Sequence, residues 1–207
     1  KHTPAINSLD TMITKRYDLD APGNYLTEKT KFAYHDDYPS MIKTQNTLLS
    51  TGVLRTKNFS YVFDFPANAL LRNMKENHII SNPIEVIDES ENEIVNAQTY
   101  EYSCFQCDFN LANGGTWTNG VFALYKTKSL DIDKPITDYT YPTSSFSLDS
   151  RLEQLVIFDA YDDYGNLLQK TNRQGITTSY VWGYDNSILV AEIVNASYTQ
   201  VENNLSQ

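Results

Sequence analysis

The segment from residue 176 to residue 184 has a two-residue period, and this period constrains the fold more than any other feature of the chain. Side chains of consecutive residues in a β-strand point to opposite faces of the sheet. One face of this segment would carry Ile176, Thr178, Tyr180, Trp182 and Tyr184. The other face would carry Thr177, Ser179, Val181 and Gly183. The sequence therefore predicts a strand with an aromatic face.

Two tight turns are predicted before this strand. The first lies at 162–166, after a strand-like run at 152–161, and the second lies at 172–175, after a strand at 167–171. Each turn begins with Asp or Asn and contains one glycine. Asp and Asn side chains bond to nearby backbone N–H groups in turns, and glycine accepts a positive φ. Three strands joined by such short loops predict an antiparallel meander.

The order of residues across this meander forms a recognisable motif. The residues that carry it are Tyr161-Asp162, Gly165-Asn166, Gly175, Tyr180 and Trp182-Gly183-Tyr184. This order resembles one full YD repeat of the RHS family. The stretches at 188–193 and 195–198 resemble the version found in secreted or surface proteins of Bacteroidetes. The resemblance covers about the last quarter of the chain.

The resemblance implies an array of β-hairpins, which coils into a shell or cage in the longest members of the family. One clear repeat is too few for a closed cage. The resemblance therefore implies that the chain stacks on neighbouring repeats or domains of a larger parent protein. It also implies an extracellular or cell-surface location in the outer envelope. Because sugar binding has been suggested for YD-type proteins, it leaves a glycan as a further partner.

Composition fits one mainly-β unit. The 207 residues include 15 Tyr and 9 Phe, which favour strands over helices. The formal net charge of −10 argues against nucleic acid or an anionic membrane as partners, because both need a basic surface. No apolar run reaches membrane-spanning length, so the sequence predicts no membrane-spanning segment.

The predicted fold is an extended, twisted antiparallel sheet of β-hairpins with one or two short helices. We expect a degenerate hairpin region at 1–148, the YD-like meander at 149–194 and a C-terminal helix at 195–207. A short helix is predicted near 67–77, and Asn195 is the predicted cap of the last helix. The other predicted strands lie at 11–18, 26–34, 41–49, 54–63, 83–88, 94–105 and 121–129.

Cys104 and Cys107 are the two cysteines of the chain. Residues three apart in an extended strand lie about 10 Å from each other, too far for a disulfide unless a turn intervenes. Two free thiols are therefore the favoured interpretation, a local disulfide is the second, and zinc is the third because a second ligand pair is missing. No nucleophile–base set or cofactor motif can be assembled elsewhere. The sequence predicts no catalytic residue, cofactor or metal site.

Four aromatic residues are candidates for ligand binding. Tyr180, Trp182 and Tyr184 would project from one sheet face, and Trp117 would project from a Gly-rich loop at 113–120. Planar aromatic rings on an open sheet could stack against sugar rings. The competing interpretation is packing against a helix or a neighbouring hairpin, since large apolar patches are rarely exposed on monomers. Core packing is favoured for Trp182, whereas the two interpretations are evenly balanced for Trp117.

Two classes of function follow from these observations. In the first, the chain is a non-enzymatic structural module of a larger exported protein, and its hairpins stack on neighbours. In the second, it is a cell-surface module that binds a carbohydrate or a protein through exposed aromatic residues. An enzyme ranks third because the sequence offers no recognisable catalytic set.

Overall fold

The structure is a computed structural model that describes residues 9–21, 23–110, 116–144 and 146–205, without the side chains of residues 109, 110 and 116–118. Within these ranges the chain forms thirteen strands, a 3₁₀ turn at Val62–Asp64, and two helices, α1 (Ala69–Glu76) and α2 (Tyr198–Leu205). The strands are β1 (Thr11–Tyr17), β2 (Tyr25–Tyr34), β3 (Ile42–Leu48), β4 (Leu54–Tyr61), β5 (Pro83–Ser90), β6 (Glu93–Phe105), β7 (Asp108–Asn110), β8 (Thr116–Thr118), β9 (Val121–Leu130), β10 (Leu152–Tyr161), β11 (Leu167–Asn172), β12 (Thr177–Gly183) and β13 (Ile188–Val194).

Eleven of these strands form one sheet in which neighbours in space are neighbours in the chain. The order is β1-β2-β3-β4-β5-β6-β9-β10-β11-β12-β13, and every adjacent pair is antiparallel. Strands β7 and β8 form a separate hairpin. The predicted mainly-β fold, an antiparallel sheet of hairpins with short helices, is confirmed.

The sheet keeps chain order because most of its connections are short turns. Glu91 and Asn92 alone connect β5 to β6, and both have positive φ, 54° and 69°. Two-residue hairpin loops of this kind match the twist of the flanking strands. Three connections are longer: α1 lies between β4 and β5, the β7–β8 hairpin lies between β6 and β9, and the irregular segment 131–149 lies between β9 and β10. We call this last segment the strap; its Ser145 lies outside the described residues.

Each face of the sheet has its own small core. Ile84 and Glu85 are consecutive residues of β5, so their side chains point to opposite faces. Ile84 packs with the 3₁₀ turn and α1 in a buried cluster of Val62, Phe65, Leu71, Met74 and Ile84. Residues on the other face pack beneath the strap in a cluster of Ile87, Ile94, Ala97, Leu130, Tyr139 and Leu152.

Helix α1 is shorter than the predicted 67–77 because Asn68 caps it. Asn68 has extended backbone angles, and its side-chain oxygen accepts a hydrogen bond from the Leu71 N–H at 3.1 Å. This bond satisfies one of the free N–H groups at the helix start. Leu71 and Met74 of this helix are buried.

The prediction that Asn195 caps the last helix is wrong. Ser197 is the cap: its hydroxyl accepts from the Gln200 N–H at 3.3 Å, and the Gln200 side chain accepts from the Ser197 N–H at 2.9 Å. This reciprocal pair is a capping box. Asn195 instead takes a positive φ of 65° and donates its N–H to the Thr177 carbonyl at 2.7 Å, so it ends the pairing of β13 with β12.

Two sets of polar contacts hold the strap in place. At the first, the Tyr139 hydroxyl donates a 2.7 Å hydrogen bond to Oε1 of Glu85, a residue that is 1% exposed. Burial raises the pKa of Glu85 to about 7, and the Tyr139 bond opposes the shift. At the second, Asp149 accepts hydrogen bonds from the Thr140 N–H and from the Arg151 guanidinium, each at 2.8 Å. The bond from Arg151 is the main reason that the pKa of Asp149 lies well below its usual range.

Among the described residues, neither helix is long and apolar enough to cross a membrane.

The first prediction concerns Glu85 and pH. Its pKa rises from 4.5 to about 7 on folding, so the folded state holds a proton that the unfolded state has lost between these values. The free energy of unfolding therefore falls as pH rises through this window, by ~3 kcal/mol at about 1.4 kcal/mol per pKa unit. The substitution Glu85→Gln keeps an acceptor for Tyr139 and removes the titration.

Urea unfolding from about pH 5 to about pH 8 measures this contribution as the difference between wild type and E85Q. We expect E85Q to gain stability relative to wild type as pH rises. A pH dependence identical in the two proteins would show that Glu85 does not titrate in this range.

Candidate interaction surface

The two turns predicted from the sequence are present and share one geometry. In the first, Oδ1 of Asp162 accepts hydrogen bonds from the N–H groups of Tyr164 and Asn166 at 2.9 and 2.8 Å, and Gly165 has a φ of 85°. In the second, Oδ1 of Asn172 accepts from the N–H groups of residues 174 and 176 at 3.0 and 2.9 Å, and the φ of Gly175 is 78°. Each short polar side chain therefore satisfies two N–H groups that the turn leaves unpaired.

A third turn joins β12 to β13 and is tied to the first. Its residues Tyr184, Asp185 and Asn186 all have left-handed φ values, between 52° and 59°. The side-chain amide of Asn166 donates to Oδ2 of Asp162 at 2.9 Å and to the Asn186 carbonyl at 2.7 Å. One amide group thus bridges two neighbouring loops and fixes the start of β13.

Tyr180 and Trp182 occupy the same face of β12, and both are engaged within the sheet. Tyr180 is 8% exposed; its hydroxyl donates to Oε1 of Glu192 on β13 at 3.3 Å, and Nζ of Lys170 on β11 lies 5.2 Å from its ring centroid. Trp182 is half-buried, and its Nε1 donates to the Leu167 carbonyl at 2.9 Å. Both side chains therefore connect adjacent strands.

The aromatic face is shorter than the predicted alternation suggests. Strand β12 spans Thr177–Gly183, so Ile176 and Tyr184 lie outside it. Tyr184 falls in the left-handed turn and is 76% exposed. The two-residue alternation of the sequence continues to Tyr184, but the backbone leaves the sheet after Gly183.

Trp117 lies in strand β8, paired with Phe109 of β7, and not in a loop as predicted. Its side chain is not described, and residues 113–115 of the predicted Gly-rich loop also lie outside the described residues. The structure therefore brings together Tyr180 and Trp182, places Tyr184 apart from them, and leaves the direction of the Trp117 side chain open.

The favoured prediction of two free thiols is wrong, because Cys104 and Cys107 form a disulfide. Strand β6 ends at Phe105, and Gln106 takes a positive φ of 57°, which turns the chain back and brings the two Cα atoms to 5.6 Å. An extended strand would hold them about 10 Å apart. Nothing in the residue types around Gln106 marks this turn.

Strands β1 and β13 form the two edges of the sheet among the described residues. Strand β13 carries four exposed apolar side chains: Ile188, Leu189, Val190 and Val194, at 52%, 43%, 52% and 63% exposure. On β1, Met12, Ile13 and Tyr17 are also exposed. The sequence did not predict a separate strand here, and strand propensity alone would not reveal which strand is an edge.

An edge of this kind acts through its backbone. Its outward N–H and C=O groups lack partners in the sheet and can pair with another strand, while apolar side chains on both faces pack against those of the added strand. Within the part of the chain that the structure describes, no group of three or more His, Cys, Asp or Glu residues is placed to hold a metal ion. The surface is suited to strand pairing.

The second prediction tests the turn at 162–166. Replacing Asp162 by Ala leaves the N–H groups of Tyr164 and Asn166 without their acceptor, and we expect a loss of about 1 to 2 kcal/mol in the free energy of unfolding. The neighbouring Asp163 is exposed and makes no side-chain hydrogen bond with the described residues, so Asp163→Ala is the matched control. Urea denaturation of the two variants and wild type gives the comparison; equal losses in both would contradict the role of Asp162.

No protein-family model matches the chain, and no curated protein matches it. The described residues form a wide antiparallel sheet in which β1 and β13 have no outer neighbour, and Tyr180 and Trp182 bond within that sheet.

Proposed function

We propose that this chain is a non-enzymatic structural module of a larger exported protein of the YD or RHS repeat type, in which stacked hairpins build a shell or surface scaffold. The observation that carries the proposal is the eleven-strand antiparallel sheet whose edge strands, β1 and β13, have no outer neighbour among the described residues and expose apolar side chains. Strands of neighbouring repeats or domains would add to these edges and bury those side chains.

The residues of the YD-like motif support a structural role because their polar groups are used within the fold. The Tyr161 hydroxyl donates to the Leu124 carbonyl at 2.7 Å, and burial raises the pKa of Tyr161 to about 12. The Asp162 carboxylate accepts three hydrogen bonds from its own turn. Neither group is free to act on a substrate. The motif serves to shape a hairpin.

The disulfide supports the exported location. Disulfides form and persist in oxidising compartments and are rare in the reducing cytosol. The Cys104–Cys107 bond closes the junction between β6 and the β7–β8 hairpin. Gly120 lies directly against it, since a Cβ at that position would sit 2.9 Å from Cα of Cys107.

One observation favours the alternative, a surface module that binds a carbohydrate or a protein. Tyr184 projects from the β12–β13 turn with 76% of its surface exposed, so its ring is accessible to a ligand. Tyr180 and Trp182 are less available to a ligand. Tyr180 is buried, and Trp182 donates its indole N–H to the backbone.

The third prediction separates the two functions by tryptophan fluorescence. Trp117 and Trp182 are the two tryptophans of the chain, so W117F and W182F each leave a single reporter. A scaffold module should show no saturable change in emission with a panel of soluble polysaccharides, with or without calcium. A saturable shift that is lost in Tyr184→Ala or Trp117→Ala would favour the binding module, and turnover that depends on one Asp, Glu or Cys would overturn the non-enzymatic role.

A further inference from the structure

We infer that β13 is the edge through which the module associates with a second copy of itself, with the two β13 strands paired antiparallel about a two-fold axis. The inference rests on the proposed scaffold function and names the partner of one of its edges. Three observations support it: no described part of the chain covers the edge, the strand direction favours one kind of partner, and the residues of β13 are compatible with self-pairing.

The described chain that follows β13, residues 195–205, leaves this edge uncovered. After Asn195 it crosses the sheet, where Oγ of Ser179 donates to the Ala196 carbonyl at 2.7 Å and the Tyr198 N–H donates to the Gln169 side chain at 2.8 Å. Ser179 and Gln169 lie on β12 and β11, so α2 begins over the inner strands. Val201, on α2, is buried there. The helix therefore covers a face of the sheet and not the outer side of β13.

The direction of β13 favours one symmetry relation between the two paired copies. The sheet has eleven antiparallel strands, an odd number, so β1 and β13 run in the same direction. A copy related by translation would place its β1 parallel to β13, a pairing found nowhere in this sheet and slightly less stable per residue. A copy related by a two-fold axis places β13 antiparallel to β13. Such an interface is also closed, and it gives a dimer, not a fibre.

The residues of β13 tolerate this self-pairing. In a register centred on Ala191, Ile188 lies opposite Val194 of the second copy, and Leu189 lies opposite Ile193. Cross-strand pairs of β-branched and other apolar residues stabilise antiparallel sheets.

Charge does not oppose the pairing. Glu192 is the one charged residue of β13, and in this register it lies opposite Val190 of the second copy, not opposite its own equivalent. The Tyr180 hydroxyl, which bonds to Oε1 of Glu192, draws the carboxylate over β12 and away from the outer edge. Strand β1 carries Lys15 and Arg16. Such cations commonly protect an edge from pairing.

The interface is small, and this sets the conditions of the test. Pairing of two seven-residue strands buries far less than the ~1,600 Å² of a standard stable interface. We therefore expect a concentration-dependent dimer in rapid exchange with monomer, and the measurement must cover a wide concentration range.

The fourth prediction is tested by sedimentation velocity on the whole chain over such a range. Wild type should shift from monomer to dimer as concentration rises. The double variant Ile188→Lys, Val194→Lys, at positions that are 52% and 63% exposed, should remain monomeric because it places cations on the edge. The matched control, Ile13→Lys on β1, is 60% exposed and should dimerise like wild type. Circular dichroism verifies that each variant is folded.

Cysteine cross-linking tests the register. Both native cysteines are in the disulfide, so Ala191→Cys supplies a single free thiol. The register brings this introduced thiol and its equivalent in the second copy together at the two-fold axis, and a short bis-maleimide should join them. Residue 194 would lie ~20 Å from its equivalent, six residues along the strand, so Val194→Cys should not cross-link. Cross-linking at 194 and not at 191 would overturn the register.

The outcomes separate the inference from the proposed function. A monomer at all concentrations, a dimer that survives the two β13 lysines, or a dimer abolished by Ile13→Lys would each overturn β13 self-pairing. None of these results bears on the scaffold role, which is tested by sugar binding and turnover. Conversely, saturable sugar binding with an intact β13 dimer would overturn the scaffold role and leave the dimer in place.

Discussion

The antiparallel backbone ladder is the interaction on which the rest of this structure depends, and β6 is its central member. Along residues 93–99 this strand pairs with β5, and along residues 98–105 it pairs with β9. Strands β5 and β9 therefore pair with different parts of β6. One end of β6 lacks a strand on its β9 side, and the other end lacks a strand on its β5 side. Buried backbone groups must find partners, so these two places decide where the rest of the chain packs.

Two of the long connections between strands cover the two parts of β6 that lack a neighbouring strand. On one side, where β9 has ended, the strap supplies Ile136, whose N–H and carbonyl bond to the carbonyl and N–H of Ile94 at 3.0 and 2.7 Å. On the other, where β5 has ended, the segment after α1 brings Ile79 and Ile80 to the cluster that contains Tyr102. The small cores exist because the ladder is staggered. The strap also explains why the carboxyl group of Glu85 can be buried, because Tyr139 of the strap donates a hydrogen bond to it.

The sequence predicts the parts of this fold that local chemistry determines. Asp162 and Asn172 open turns because a short acceptor can reach the backbone two and four residues ahead, and this holds in any surroundings. The errors, and the features that the sequence did not predict, arise where distant contacts decide. The left-handed turn at Gln106 that closes the disulfide, the exit of the chain from the sheet at Tyr184, and the exposure of β13 all depend on what lies next to them in space. The YD resemblance and the sugar-binding role of the aromatic residues stay predictions.

The third turn and the bulge in β13 show that this edge is held in a fixed shape. Val181 pairs with Ala191 and Trp182 pairs with Leu189, so Val190 is an extra residue on β13. Its side chain lies over Gly183, where a Cβ would sit 3.0 Å from Cγ1 of Val190. A larger residue at 183 would have to displace the Val190 side chain slightly, and Asn166 fixes the same turn from its other side through the Asn186 carbonyl. A bulge by itself tends to protect an edge from pairing, whereas the fixed shape of this edge lowers the conformational entropy that is lost when a strand is added.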